Sequence, residues 1–99
     1  MEPKPLRLIG LAKKAGMLVC GTDAVIIAAG QAKLLLLSAD AGNSAKREAG
    51  RLGKQLVTLP YNKEELGRAA GKRSCAIAAV TDEDFAQGIV KALQMEVYG

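Results

Sequence analysis

The sequence predicts an α/β fold, a single-domain three-layer α/β/α sandwich with a central four-stranded sheet, and three observations carry that expectation. Apolar residues switch repeatedly between helical and strand spacing along the chain. The switches fall on glycine, proline and capping residues. Four consecutive leucines, Leu34 to Leu37, have the composition of a strand covered on both faces. With 99 residues, 49% hydrophobic and 24% charged, the chain is expected to form one domain, 1–99, with a proper core. Short strands alternating with helices put helices on both faces of the sheet.

Taken in order, Leu6, Ile9, Leu11, Ala12 and Ala15 form a helical stripe. Pro5 suits its first turn, Gly16 its C-terminal cap, and Lys13 and Lys14 the negative end of its dipole. Met17 to Cys20 is a short strand, after which Gly21 turns the chain and Thr22 is placed to cap a helix that Gly30 ends. A strand over 33–39 follows, then a loop at Asp40 to Asn43 and a basic helix from about Ser44 to Leu52 carrying Lys46, Arg47 and Arg51. Gln55 to Leu59 is a third strand stopped by Pro60. Asn62 and Glu65 have the spacing of a reciprocal cap for a helix that Gly71 ends. Ser74 to Val80 is the fourth strand, and Thr81 with Asp84 repeats the capping spacing before the fifth helix.

The formal charge is +4, but its distribution matters more. Residues 1–73 hold 13 of the 14 Lys and Arg against six acids, whereas residues 74–99 hold Lys91 against Asp82, Glu83, Asp84 and Glu96. A basic excess of this kind points to a polyanion, because each phosphate neutralised releases condensed counterions; the alternative is a solvated face that keeps a small protein soluble. The longest apolar runs, such as Ala24 to Ala29, fall far short of the roughly 20 residues that span a bilayer. The N-terminus lacks a signal-peptide layout, so a cytoplasmic location is expected, with no membrane partner. Cys20 and Cys75 should then be reduced thiols.

Candidate chemistry narrows quickly. The stretch Gly67-Arg68-Ala69-Ala70-Gly71-Lys72 resembles a nucleotide-phosphate loop, but only three residues separate its glycines, Arg73 replaces the magnesium-binding Ser or Thr, and the segment ends a helix instead of opening one. The chain contains no histidine, and its clustered acids fall where helix caps need them. Cys20 has no basic neighbour in sequence to activate it and reads as buried filler. The sequence therefore predicts no enzyme, no metal and no cofactor. Aromatics amount to Tyr61, Phe85 and Tyr98, too few for a stacking platform, so a nucleic-acid ligand would be structured RNA held by backbone and shape, not DNA. Gly21 and Thr22 at a helix start, and Lys72 and Arg73 in an exposed turn, are the candidate contacts; an ordinary cap and a solvated turn are the alternatives.

Three segments taken together carry a family resemblance: Ala15-Gly16-Met17-Leu18-Val19-Cys20-Gly21-Thr22-Asp23; Gln31-Ala32-Lys33 with the leucines and Ala39-Asp40; and Glu65-Leu66-Gly67-Arg68-Ala69-Ala70-Gly71-Lys72. Over nearly its whole length the chain resembles the kink-turn-binding ribosomal proteins, in particular their short bacterial type. The resemblance implies a non-catalytic, ribosome-associated RNA-binding protein, expected as a monomer. In that family the turn after the first strand contacts sheared G·A pairs of a sharply bent RNA, and the loop before the last strand closes over an extruded nucleotide. Those roles fall on Gly21, Thr22 and Asp23, and on Gly71, Lys72, Arg73 and Ser74. Apart from the resemblance, Lys13, Lys14, Lys33, Lys46 and Arg47 in the basic part of the chain are candidates for further phosphate contacts. The chain departs from the family at Asp23-Ala24, where studied members have Asn-Glu or Lys-Gln, and at Ile27, which stands for a helical Lys. Lys72-Arg73 stands where many relatives are apolar. A carboxylate and a methyl cannot reproduce the amide contacts, so recognition is expected to be altered. A protein-interaction adaptor that kept the fold without specific RNA recognition is the alternative.

Overall fold

The computed structural model describes residues 2–98, with side chains to Met95. Its elements run α1 (Lys4–Lys14), β1 (Leu18–Cys20), α2 (Thr22–Ala28) continued by a 3-10 turn (Ala29–Gln31), β2 (Leu34–Leu37), α3 (Asn43–Arg51), β3 (Leu56–Thr58), α4 (Lys63–Ala69), β4 (Ile77–Val80) and α5 (Glu83–Tyr98). The strands form one mixed sheet in the order β1-β4-β2-β3. β4 is antiparallel to both neighbours, and β2 and β3 are parallel. The expected α/β/α sandwich is therefore present.

The four leucines explain the layering. Successive side chains of a strand point to opposite faces. Leu34 and Leu36 enter a core shared with α1, α4 and α5, while Leu35 and Leu37 enter a second core shared with α2 and α3. All four are buried, as are Ile77 to Val80 on the neighbouring strand. β4 contributes alanines at positions 78 and 79, one to each face, small enough for helices to pack closely on both sides.

The helix ends follow local chemistry. Gly16 (φ +74°) and Gly71 (φ +74°) occupy the left-handed position that closes α1 and α4. In α1 the Met17 N–H donates to Ala12 C=O and the Gly16 N–H to Lys13 C=O; in α4 the Lys72 N–H donates to Gly67 C=O and the Gly71 N–H to Arg68 C=O. These are paired Schellman bonds, which satisfy carbonyls that a helix end leaves open. The reciprocal cap at Asn62 and Glu65 forms as expected, with both bonds at 2.8 to 2.9 Å.

Other expectations are corrected. Asp82, not Thr81, caps α5: its carboxylate accepts from the Phe85 N–H at 2.9 Å, and Asp82 C=O accepts from the Ala86 N–H, because the helix starts one residue later than the spacing suggested. Thr22 is the first residue of α2 and makes no capping bond; Gly21, at φ +97°, occupies the cap position. Gly30 lies within the 3-10 turn and does not end the helix at its own position. Ser74 belongs to the loop and not to β4.

Leu36 sits at the centre of the sheet with no exposure. Leu36→Ala should destabilise the fold by about 3 kcal/mol through forfeited transfer energy and a residual cavity. Urea denaturation at constant m-value measures it, and a loss below about 1 kcal/mol would contradict the two-sided packing.

Candidate functional site

The pairing of β1 with β4 brings two loops that are distant in sequence to one end of the sheet. The Gly21 N–H, following β1, donates to Ile77 C=O at the start of β4. Cys20 Sγ lies 3.0 Å from Cys75 Sγ. The turn into α2 with that helix's first two residues (21–23) and the loop 71–74 therefore flank one pair of residues.

The second loop is strapped along α4. Beyond the Schellman bonds, the Cys75 N–H donates to Lys63 C=O at 3.0 Å, so the residues after Gly71 run back along the helix. Gly67 permits this approach: a Cβ there would stand 2.6 Å from Ser74 Cα and 2.7 Å from its nitrogen. The glycines of the Leu-Gly-x-x-x-Gly-Lys segment thus place a loop. Gly67 admits the Ser74 backbone and Gly71 supplies a backbone angle that costs another residue about 1–2 kcal/mol.

The loop borders an open cavity of about 620 Å³, lined by Asp40, Lys63, Glu64, Arg68, Lys72, Arg73 and Ser74. Four cations face two carboxylates there. The ion pair among the described residues is Glu48–Arg51 on α3, so none of the four cavity cations is paired among them. Asp40 has a structural task, because its carboxylate accepts from the Lys63 N–H at the start of α4 at 2.8 Å. Desolvation works against its charge, but hydrogen bonds, foremost that from Lys63, outweigh it and hold the carboxyl below its ordinary value. A smaller cleft continues the basic surface between α1 and α4, lined by Arg7, Lys14 and Arg68 among others.

The structure gathers some of the expected residues and separates others. Gly21, Thr22 and Asp23 lie beside the loop formed by Gly71, Lys72, Arg73 and Ser74. Lys13 and Lys72 are both near enough to Cys20 to act on its thiol, and Lys14 joins the surface through Arg68. Lys46 and Arg47 are exposed on α3, which packs on the other face of the sheet, and they border neither cavity. Lys33 lies at the opposite end: its N–H donates to Val80 C=O, one strand-length from the Ile77 carbonyl that receives Gly21. Ile27 is 86% exposed on α2.

Sequence reasoning missed Lys63 and Arg68, which join the site only because α4 lies under the loop. The bond that the Lys63 N–H donates to Asp40, across 23 residues, has no local signal. Cys20 also needs correction. Its expected lack of activating neighbours reflects sequence distance alone, because the hydrogen bond from Cys75, opposed by burial and supported by Lys13 and Lys72, lowers its pKa. No group of three or more metal-ligating side chains occurs among the described residues, and no helix there is long and apolar enough to cross a membrane.

Fold and site together define a class: a small α/β/α sandwich that presents two adjoining loops and a basic cleft at one end of its sheet. No protein-family model matches the chain. It is 41% identical over 93 aligned residues, 87% of this chain and 91% of the relative, to the RNA-binding protein YlxQ of Bacillus subtilis. The chain belongs to the YlxQ family. Among solved structures, a protein of unknown function from Bacillus halodurans C matches 94% of this chain and 99% of its own at 31% identity, with a TM-score of 0.82. The 15.5kD RNA binding protein of Giardia lamblia matches 91% of this chain and 82% of its own with a TM-score of 0.68; at 17% identity it is a likeness of fold.

The close approach at Gly67 makes a sharp prediction. Gly67→Ala should cost about 1–3 kcal/mol in urea denaturation and displace the backbone amide signals of residues 72–75. Stability within about 0.5 kcal/mol of wild type, with those signals unmoved, would mean that the loop does not lie against α4.

Proposed function

We propose that this protein is a non-catalytic, cytoplasmic, ribosome-associated RNA-binding protein that acts as a monomer and holds a structured, kink-turn-like RNA. The contact surface is the turn Gly21-Thr22-Asp23 together with the loop Gly71-Lys72-Arg73-Ser74, widened by Lys63, Arg68, Lys13 and Lys14. The observation that carries this reading is the meeting of the two loops beside a cleft whose cations are unpaired among the described residues. A folded RNA that turns sharply presents two phosphate strands and exposed base edges within a short distance, which two adjoining loops can grip at once. The name of the Bacillus subtilis relative supports RNA as the ligand.

Division of labour follows from the side chains. Arg68 and Arg73 offer planar guanidinium groups that grip a phosphate with two bonds or stack on an extruded base, while Lys63 and Lys72 act as point charges. Asp23 cannot approach phosphate favourably, so it serves by accepting from a base amino group, and Ala24 adds no polar contact. Lys33, Lys46 and Arg47 lie outside this surface and contribute only to the general field.

The adaptor reading keeps one specific observation in its favour. Ile27, in place of a family cation, is the most exposed large apolar side chain described and lies on the helix that the first loop opens. An apolar residue at that place suits a protein partner better than a phosphate.

The double variant Lys72→Ala/Arg73→Ala separates the two. Both side chains are exposed, so stability should stay within about 0.5 kcal/mol. RNA affinity should fall about tenfold or more, and the slope of log K against log salt should shrink by roughly 0.7–0.9 for each phosphate no longer neutralised. Unchanged affinity and slope in a fluorescence-anisotropy titration would reject the loop as an RNA-binding element and favour the adaptor.

A further inference from the structure

Cys20 ends β1, and Cys75 stands two residues before β4. Fifty-five positions separate them in the chain, yet their Sγ atoms are 3.0 Å apart and both are free thiols. A disulfide needs a sulfur separation of about 2.05 Å, so closure requires an approach of only about 1 Å. Cys20 is half-buried and open to a small oxidant, whereas Cys75 is buried, with its sulfur also 3.2 Å from Ile77 C=O.

We infer that Cys20 and Cys75 are a redox-active dithiol that a peroxide or a small-molecule disulfide converts reversibly into an intramolecular bond, tying the turn 21–23 to the loop 71–74. The functional consequence rests on the RNA reading above, since these are the loops it assigns to RNA; the thiol chemistry does not.

The two sulfurs are differentiated as such a reaction needs. The hydrogen bond from Cys75 lowers the Cys20 pKa, with burial opposing and Lys13 and Lys72 assisting, so Cys20 is the nucleophile. The same pairing, together with burial, raises the pKa of Cys75 and keeps its proton in place. With hydrogen peroxide, the Cys20 thiolate attacks one oxygen and the O–O bond breaks. The departing hydroxide takes a proton to become water, leaving a sulfenic acid on Cys20. Removal of the Cys20 charge frees Cys75 to lose its proton. Its sulfur attacks Cys20 Sγ, the S–S bond forms as the S–O bond breaks, and the hydroxide leaves as a second water. Two thiols lose two electrons and one peroxide becomes two waters. With glutathione disulfide, Cys20 displaces one glutathione thiolate and Cys75 displaces the other, so that two glutathiones are released.

The test treats the full chain with hydrogen peroxide or glutathione disulfide, denatures it, alkylates it and weighs it. The expected product is a monomer lighter by two hydrogens, with no alkylated cysteine. It should yield one linked pair of tryptic peptides, 15–33 with 74–91, and dithiothreitol should reverse the change. Its Tm should exceed that of the reduced form by at least about 10 °C. Cys75→Ser should halt the reaction at a Cys20–glutathione mixed disulfide, and Cys20→Ser should leave Cys75 a free thiol. Two alkylated thiols in oxidised wild type, a persistent mixed disulfide there, or a bond formed only between two chains would overturn the inference. No RNA enters the measurement, so a failure of the RNA reading would leave this result standing, and the converse.

Discussion

The pairing of β4 between β1 and β2 is the constraint on which the rest of the molecule depends. Antiparallel on both sides, it sets the end of β1 against the start of β4. That juxtaposition brings Gly21 to Ile77, Cys20 to Cys75, and hence one loop to the other. Its stability comes from burial on two faces, where alternate leucines of β2 and the small side chains of β4 fill separate cores. Without the β1–β4 pairing the two loops would be unrelated surface turns.

The site is built mostly from backbone. The Schellman turn that closes α4, the Asp40 carboxylate on the first N–H of α4, and the close approach of Gly67 to Ser74 fix where Lys72 and Arg73 emerge, and the side chains themselves stay exposed to meet a ligand. A fixed support under exposed charges suits recognition of a shaped polyanion, because the cost of ordering the loop is met in folding and not in binding. The motif that superficially suggests a nucleotide-phosphate loop is in this protein a device for anchoring a loop to a helix.

Much of this was legible in the sequence wherever the cause is local. The leucine run foretold a strand covered twice, Gly16 and Gly71 foretold helix ends, and Asn62 with Glu65 foretold a complete capping box. Where two residues competed for one local role, the reading slipped: Asp82 beside Thr81 and Gly21 beside Thr22 took the caps, because a shift of one residue in the helix start leaves the hydrophobic pattern unchanged. Strand order carries no local signature at all. Lys33 therefore looked like a neighbour of the site while lying at the far end of the sheet, and Lys63, Arg68 and the Cys20–Cys75 pair stayed hidden behind their sequence separation.

Whether the two loops act as one surface for a bent RNA despite Asp23-Ala24 is tested most directly by comparing a kink-turn RNA with a matched straight duplex at two salt concentrations. Binding to the bent RNA should be at least about tenfold tighter, about 1.4 kcal/mol, with the preference surviving the higher salt because shape is not screened. Equal, weak and steeply salt-dependent binding to both would contradict a two-loop recognition site and leave only a basic surface.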